Sequence, residues 1–255
     1  MSTQEAFLSR IRRALQGSGG ASHAGDEDVA LPASMPASAS AIRARLRTQR
    51  AALMTRLQDE LQAVGGQVVR VESVAEATQY VTQLAREYEA ALVVRWEDDV
   101  LAMLEVDAAL QAHGVEVGIA APPLEDAAAM AAQRRHLRDL LARADIGLSG
   151  ADYVIAETGT LALSALPGQM RGVSLLPPVH VAVVKPSQIV GTMADCLAML
   201  QEEGRADLPE RLTSCLSFIT GPSRTGDIEL SLTVGVHGPG KLHLIILDDP
   251  SDTET

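Results

Sequence analysis

The sequence from residue 67 to residue 94 is QVVRVESVAEATQYVTQLAREYEAALVV. It begins with Gln67–Val71 and ends with residues 91–94, two mostly apolar segments of strand length. Between them, Val74–Glu87 places apolar residues at the spacing of an amphipathic helix. A strand, a helix and a second strand in this order predict a β-α-β unit, the building block of an α/β fold.

The same alternation continues on both sides of this unit. On the N-terminal side, residues 41–64 have the pattern of a long helix, and Gly65-Gly66 supplies the residues that end it. On the C-terminal side, the sequence predicts a helix, a strand and an alanine-rich helix, at 98–113, 115–119 and 124–143. The first half of the chain is therefore predicted as alternating helices and strands.

The second half of the chain has shorter apolar segments. Residues 146–163 are predicted to form short strands around turns, and Val179–Val184 forms a further strand. A helix is predicted at 188–202, and three apolar segments of strand length follow, at 215–220, 228–236 and 242–247. Together the two halves predict one α/β domain, and the sequence has no internal repeat.

The first 40 residues are predicted as an arm outside this domain. Apolar residues at helical spacing within 3–15 predict a short amphipathic helix, and 17–40 has the Gly, Ser, Ala and Pro content of a flexible linker. We expect the helix to dock onto its own domain or a sister subunit rather than onto a membrane surface or another partner. The predicted organisation is an arm at 1–40, the α/β domain at 41–248 and a disordered tail at 249–255.

The composition excludes several classes of protein. The 255-residue chain has a formal net charge of −12, which argues against nucleic-acid binding because that needs clustered positive charge. Only 2% of its residues are aromatic, too few for a surface on which bases stack. No apolar run reaches the roughly 20 residues of a membrane helix. The first residues do not have the pattern of a secretory signal. A cytoplasmic protein without a membrane span is therefore expected.

Common cofactor and catalytic motifs are absent from the sequence. It contains no phosphate-binding loop, dinucleotide fingerprint, zinc-protease motif or nucleophile elbow. Its two cysteines, Cys196 and Cys215, have neither CxxC spacing nor a Cys/His cluster and are expected to be buried reduced thiols. No cofactor and no metal site are therefore expected.

The first candidate site lies around a short predicted strand. Gly150-Ala151-Asp152 precedes the strand that leads to Glu157, and Thr158-Gly159-Thr160 follows it. A carboxylate at a strand end of an α/β sheet lies where ligands commonly bind, and Gly159 lets the backbone approach a ligand closely. The alternative is a hairpin turn in which Glu157 makes only structural hydrogen bonds.

The second candidate site is a segment rich in Gly, Arg and carboxylates near the C-terminal end of the domain. Arg224 offers a planar guanidinium for a carboxylate or phosphate, and the amides around Gly221 and Ser223 can form an anion-binding nest. Asp227 and Glu229 are two residues apart, so in a strand both point to the same face. They are either a catalytic acid pair or members of a structural ion network.

The remaining candidates are histidines and a lysine. His237 lies between an apolar strand and the turn Gly238-Pro239, where it can act as an acid or base or simply cap the turn. His243 lies inside a predicted strand and is interpreted as structural. Lys185 follows Val179–Val184 and is interpreted as the end of that strand, with a Schiff-base lysine as the alternative.

In combination, these motifs resemble the lactate utilization domain family. The resemblance covers residues 41–248 and rests on Gly150-Ala151-Asp152, 156–160, 220–229 and 235–239 with Leu242-His243. It implies a fold similar to ribose-5-phosphate isomerase, glucosamine-6-phosphate deaminase and CoA transferases. Such a fold is an open, parallel-rich α/β sheet flanked by helices, here with an N-terminal helical arm. Tyr153 stands where the isomerases have Glu, which argues against isomerase activity.

The resemblance also implies a role in the oxidation of L-lactate to pyruvate. The family acts there with iron-sulfur partner proteins, and this chain lacks the cysteine-rich segments of the family's iron-sulfur members. The chain is expected to bind a small carboxylate or its partners through Glu157, Arg224 and His237. A homodimer is a further hypothesis.

The alternative is a stand-alone transferase or isomerase-like enzyme acting on an acyl-CoA or a sugar phosphate. In that case Glu157 is the base or nucleophile, Arg224 holds the anion and His237 donates a proton, with Asp227 as a further catalytic acid. A third hypothesis is a scaffold whose motifs only stabilise turns. The residues predicted to bind a ligand are Asp152, Thr158, Gly159, Thr160, Gly221, Ser223, Arg224 and Glu229.

Overall fold

A computed structural model describes residues 38–120, 127–166, 168–206, 215–226 and 232–248 of the chain. The predicted arm up to residue 37 and the predicted tail at 249–255 lie outside these residues. Asp227 and Glu229, two of the candidate site residues, lie outside them as well. All other candidate site residues lie within them.

The described chain alternates helices and strands before it turns to shorter elements. Its first part contains, in chain order, α1 (Ala39–Ala63), β1 (Gln67–Val71), α2 (Val74–Glu87), β2 (Leu92–Arg95), α3 (Asp99–Met103), α4 (Val106–Gln111), β3 (Glu116–Ile119) and α5 (Ala127–Arg143). Its second part contains β4 (Ile146–Ser149), β5 (Tyr153–Ile155), β6 (Thr160–Ser164), α6 (Gly172–Leu175), β7 (Val179–Val184), a 3-10 turn (Pro186–Gln188), β8 (Ile189–Val190), α7 (Met193–Ala206), β9 (Leu216–Ile219), β10 (Arg224–Gly226), β11 (Leu232–Val234) and β12 (Lys241–Leu247).

Six strands form a parallel central sheet. Their order across the sheet is β1-β12-β7-β4-β2-β3, and each neighbouring pair is parallel. Strands β4 and β7 are buried along their whole length, as is typical of parallel sheets, whose faces are covered by helices. Because all six strands run the same way, their C-terminal ends meet at one edge of the sheet.

A smaller sheet carries the first candidate site. Its order is β8-β5-β6-β9, with β5 antiparallel to β6, β6 antiparallel to β9, and β5 parallel to β8. The segment Gly150-Ala151-Asp152 connects β4 of the central sheet to β5 of this sheet. Strands β10 and β11 form a separate antiparallel hairpin.

Helix α1 matches the long helix predicted at 41–64. The Ser38 hydroxyl caps it by accepting a hydrogen bond from the Ala41 amide at 3.3 Å. Its apolar residues recur at helical spacing, which explains why one side of the helix packs against the core. The buried residues of this side are Ala39, Ile42, Leu46, Leu53, Leu57 and Leu61.

Two predicted helices differ from the structure. Residues 98–113 form two short helices instead of one, because Glu105 adopts the left-handed conformation with a φ of +47°. This break allows Leu104 and Val106, on either side of it, both to be buried. The helix predicted at 188–202 begins only at Met193, since Ile189–Val190 pairs with β5 as strand β8. In both cases tertiary packing overrides a local helical pattern.

The structure confirms the predicted α/β class, with a parallel-rich sheet flanked by helices. The likeness to isomerases, deaminases and CoA transferases stays a prediction. Cys196 is buried as predicted, whereas Cys215 is partly exposed. Within the described ranges, no helix is long and apolar enough to cross a membrane. The same residues form no group of three or more His, Cys, Asp or Glu side chains suited to a metal ion.

Candidate functional site

A groove lies at the C-terminal edge of the central sheet, and Asp98, Asp152 and Lys185 line it. Asp98 follows β2, Asp152 follows β4 and Lys185 follows β7, and these three strands are neighbours in the sheet. The parallel topology therefore brings together three charged side chains that are far apart in the sequence. The groove has a volume of about 560 Å³, within the range of small-molecule sites, and this edge is where α/β proteins bind their ligands.

Helix α1 contributes a row of arginines to the groove. Arg43, Arg47 and Arg50 are spaced four and three residues apart, so they lie along one face of the helix. With Lys185 they outnumber the carboxylates among the described residues that line the groove, Asp98 and Asp152. This local excess of positive charge contrasts with the net charge of −12 of the whole chain, and it favours an anionic ligand.

Both groove carboxylates already bind groups of the protein. One oxygen of Asp98 accepts a hydrogen bond from the Val100 amide at 3.0 Å, and the other accepts one from the Gln169 side chain at 3.3 Å. Asp152 accepts a hydrogen bond from the Ser164 amide at 2.5 Å. These bonds fix the orientation of both carboxylates. The side-chain oxygen of Gln169 is buried without a hydrogen-bond partner.

A buried serine–histidine pair supports the loop that carries Asp152. The Ser149 hydroxyl donates to the Gly150 carbonyl at 2.8 Å and lies 2.8 Å from Nε2 of His180. Because the hydroxyl has a single proton, Nε2 of His180 donates in the second bond, and Nδ1 is left buried without a partner. Burial lowers the pKa of His180 to about 3, so this imidazole is neutral at pH 7.

Glu157 and Asp152 lie at opposite ends of β5. At about 3.3 Å per residue, the five residue steps between them span at most about 16 Å. Oε1 of Glu157 accepts a hydrogen bond from the Met193 amide at 2.9 Å, at the N-terminus of α7, where the helix dipole also favours a carboxylate. Glu157 therefore has a structural contact, and its catalytic role stays a prediction.

Three threonines and an arginine meet at the C-terminal end of α1. The hydroxyl oxygens of Thr158 and Thr160 are 2.7 Å apart, as are those of Thr160 and Thr220. The guanidinium of Arg224 packs directly on Gly65, and a Cβ added there would displace it. Positive charge is favourable at this end of a helix. We call Thr158, Thr160, Thr220 and Arg224 the threonine–arginine cluster.

Two predicted binding glycines bring this cluster against α1. Gly159 has a left-handed φ of +65°, and a Cβ added to it would lie 2.7 Å from the Cα of Leu61. Gly221 packs on Val64, where an added Cβ would lie 2.9 Å from Cγ2. The close approach of backbone to helix is a structural reason for glycine at both positions. Contact of either glycine with a ligand stays a prediction.

Arg224 and His237 are exposed residues of one hairpin and of the loop that follows it. Arg224 pairs with Val234 across the β10–β11 hairpin, and the loop that follows is tied back to Ser223 by backbone hydrogen bonds of 2.8 and 2.9 Å. Both Arg224 and His237 are exposed, and Val234 and Val236 are 51% and 56% exposed. We call Ser223, Arg224, Val234, Val236 and His237 the hairpin surface.

The structure thus divides the predicted site residues among separate places. Asp152 lines the groove together with Lys185, the alternative Schiff-base candidate, and the other predicted site residues that the structure describes do not. Thr158, Thr160 and Gly221 join Arg224 at the end of α1, and His237 shares the hairpin surface with Arg224. Asp227 and Glu229 lie outside the described residues. Their predicted roles, like those of the other site residues, stay predictions.

Sequence reasoning missed three parts of the groove. Asp98 had a usable signal, because it closely follows a predicted buried strand, as Asp152 does. The arginines of α1 had one as well, since their four-and-three spacing places them on one helix face. Gln169 had none, because its position depends on the loop after β6.

Comparison with known proteins identifies the class to which the chain belongs. Residues 54–247 match the family model described as the LUD domain. The chain is therefore a member of the LUD domain family, which confirms the resemblance carried by its motifs.

Several relatives are named lactate utilization protein C. That of Halalkalibacterium halodurans is 34% identical over 181 residues, which cover 71% of this chain and 73% of the relative. That of Macrococcus caseolyticus is 34% identical over 168 residues, 66% of each chain. That of Shouchella clausii is 43% identical over 109 residues, 42% of this chain and 45% of the relative, so the chain spans about half of that protein.

A solved structure is also similar. The crystal structure of a DUF162 family protein from Deinococcus radiodurans matches with a TM-score of 0.49 and 22% identity. The match covers 78% of this chain and 98% of that chain.

Proposed function

We propose that the chain is a cytoplasmic component of a system that oxidises L-lactate to pyruvate together with iron-sulfur partner proteins. The observation that carries this proposal is the similarity to proteins named lactate utilization protein C, which reaches 34% identity over 71% of this chain. Two cysteines are too few to hold an iron-sulfur cluster in the usual way, so the electron-carrying chemistry is assigned to the partners.

The hairpin surface supports a role in binding these partners. Arg224 and His237 are exposed beside Val234 and Val236, and exposed aliphatic side chains next to an arginine are typical of protein interfaces. A small carboxylate binds best in an enclosed site, where most of its surface is buried. Of the two hypotheses for this surface, its exposure therefore favours a partner protein over a small carboxylate.

Charge reversal at Arg224 tests this proposal. Arg224→Glu places a negative charge in the hairpin surface. A misplaced charge at an interface costs up to several kcal/mol, so we expect capture of the co-expressed iron-sulfur proteins to weaken by roughly ten-fold or more. L-lactate-dependent reduction of a redox dye by the reconstituted proteins should fall in parallel. Both quantities are measured against the wild-type chain at equal concentration.

Arg138→Glu is the matched control for this experiment. Arg138 is an exposed arginine of α5, so the variant makes the same change of net charge on a different element. It is expected to keep wild-type capture and dye reduction. Circular dichroism and thermal unfolding establish that both variants fold. If the folded Arg224→Glu protein behaves like Arg138→Glu in both assays, the hairpin surface does not bind the partners.

A stand-alone transferase or isomerase-like enzyme, acting on an acyl-CoA or a sugar phosphate, is the second candidate. The groove favours it, because Asp98, Asp152 and Lys185 meet at the sheet edge that α/β enzymes use for catalysis. Turnover of such a substrate by the purified chain without partners would support this candidate. A folded chain that is inactive on both substrate classes would exclude it.

A further inference from the structure

The outer strand of the smaller sheet, β9, has a free edge. It is the last strand in the order β8-β5-β6-β9, so within the described residues it is paired only on its β6 side. The chain then turns at Gly221, and β10 pairs with β11 in a separate hairpin instead of continuing beside β9. We propose that this edge pairs with the β9 edge of a second copy of the chain, around a two-fold axis. The proposal goes beyond the role in lactate oxidation and does not depend on it.

The pairing with β6 decides which backbone groups of β9 face the free edge. The Ala165 amide donates to the Cys215 carbonyl at 2.9 Å, so this pair carries the antiparallel hydrogen bonds. Such pairs recur at every second residue, so Ser217 is bonded to β6 in the same way. Leu216 and Phe218 alternate with these residues, and their N–H and C=O groups point away from β6. No hydrogen bond to these four groups is found in the part of the chain that the structure describes.

The side chains along this edge are uncharged. Residues 215–220 have the sequence CLSFIT, without the charged residues and prolines that commonly protect an edge strand from pairing. Phe218 is 41% exposed, and no residue of β9 is fully buried. An exposed aromatic side chain beside free backbone groups is typical of a strand that pairs with another chain.

The other outer strands of the two sheets are protected. In the central sheet, β1 carries Arg70 and β3 begins with Glu116, and both residues are charged and exposed. In the smaller sheet, β8 has only two residues, and both are buried. The free edge of β9 has neither kind of protection, which singles it out among these four strands.

A second copy of β9 supplies the matching groups. In an antiparallel pair with the two-fold axis at Ser217, Leu216 of each copy lies opposite Phe218 of the other. These two pairs make four backbone hydrogen bonds, and each places a leucine beside a phenylalanine on the same face of the joined sheet. Because the edge is uncharged, the contact brings no like charges together, although each copy has a net charge of −12. One pairing occupies both free edges, so the assembly closes as a dimer.

Sedimentation equilibrium of the purified chain tests the proposal. The contact is small compared with a standard protein interface, so we expect a monomer–dimer equilibrium with a dissociation constant in the micromolar range. Added salt should not weaken the dimer, because no charged side chain takes part in the contact. A chain that stays monomeric up to millimolar concentration, or a dimer that salt dissociates, would overturn the proposal.

Phe218→Lys and a matched control locate the contact. The variant removes the exposed aromatic ring and brings two positive charges into the contact, so dimerisation should weaken about ten-fold or more. Ile119→Lys makes a similar change on the outer strand β3, at a residue that is 44% exposed, and should keep the wild-type equilibrium. Thermal unfolding of both variants shows whether they are folded. If the folded Phe218→Lys protein dimerises as Ile119→Lys does, β9 is not the contact.

A disulfide tests the register of the pair without adding charge to the edge. Ser217→Cys lies at the proposed axis, where the two Cα atoms of a non-hydrogen-bonded pair are about 4.5 Å apart, within the range of a disulfide. Cys215→Ser is added to remove the neighbouring thiol, and Cys196 is buried. Mild oxidation should link two copies, and further addition of Phe218→Lys should prevent the link. Absence of the link in the protein without Phe218→Lys would overturn the two-fold axis at Ser217.

The same variants separate this proposal from the role in lactate oxidation. Arg224→Glu is expected to keep the wild-type monomer–dimer equilibrium, and Phe218→Lys is expected to keep wild-type capture of the iron-sulfur proteins. Either proposal can therefore fail while the other stands.

Discussion

Two buried histidines show how a residue's surroundings set its chemistry. His180 in β7 forms a hydrogen bond with the Ser149 hydroxyl, and burial lowers its pKa to about 3. His243 in β12 lies between Tyr80 and Tyr88, whose hydroxyls are each 3.1 Å from one of its ring nitrogens. Burial, and then the charge of Lys241, lowers its pKa to about 4. Both imidazoles are therefore neutral near pH 7 and act there as structural hydrogen-bonding groups.

The low pKa of His180 makes the stability of the fold depend on pH. In the unfolded chain a histidine has a pKa of about 6.5, so between that pH and about 3 the unfolded state binds a proton that folded His180 does not. The stability from the neutral imidazole is complete above pH 6.5 and is lost as the pH falls. When the pH is lowered from 7 to about 4.5, the free energy of unfolding should fall by about 2.5 kcal/mol less in His180→Leu than in the wild type.

Urea titrations at the two pH values measure this difference. His113→Gln is the control, because His113 is exposed, and it should keep the wild-type fall. An equal fall in all three proteins would show that His180 does not contribute to the pH dependence.

At the level of elements, the start of helix α7 depends on local and distant groups together. Thr192 and Asp195 form a reciprocal capping box, with side-chain to amide distances of 3.1 and 3.2 Å. Glu157 adds a bond to the Met193 amide at 2.9 Å from a position 36 residues earlier in the chain. The capping box is a local sequence signal for the helix start, whereas the contribution of Glu157 depends on the pairing of β5 with β8.

Substitution of Glu157 separates its structural contact from the predicted catalytic role. Glu157→Gln keeps the size of the side chain but removes the charge at the helix N-terminus, and we expect a loss of about 0.5–1 kcal/mol in the free energy of unfolding. Urea titration measures it, with Glu116→Gln, an exposed residue of β3, as the control. Unchanged stability together with lost dye reduction would contradict the capping role and support the catalytic one.

At the level of the whole molecule, the packing of α6 on the central sheet holds the groove region together. Strand β4 lies between β7 and β2, the two strands that lead to Lys185 and Asp98. Gly147 of β4 lies directly against the Val173 carbonyl of α6, which occupies the place of a Cβ. A side chain at this position would push the helix away from the middle of the sheet.

Replacement of Gly147 should therefore destabilise the whole fold. Gly147→Ala is expected to lower the free energy of unfolding by about 1–3 kcal/mol, since a backbone carbonyl cannot rotate away from the added methyl group. Gly118→Ala in β3 is the matched comparison, because there the three atoms nearest to the added Cβ belong to the flexible side chain of Leu140. A smaller loss is expected for it. Equal losses, measured by urea unfolding, would show that the carbonyl contact is not the cause.

Local sequence patterns were sufficient for the fold class and for much of the element order. The bounds predicted for Gln67–Val71, Val74–Glu87 and Val179–Val184 match the structure, because hydrophobic periodicity is a property of neighbouring residues. The motifs around residues 150–160 and 220–239 were likewise sufficient to identify the family, which the match over residues 54–247 confirms.

Only the folded chain shows which of these residues meet. Asp98, Asp152 and Lys185 line one groove because β2, β4 and β7 are neighbours in the sheet, an order that differs from their order in the sequence. Similarly, Arg224 reaches the end of α1, and Glu157 reaches the start of α7. Strand order and helix packing result from the burial of apolar faces between distant segments, and no local pattern of residues specifies which segments become neighbours.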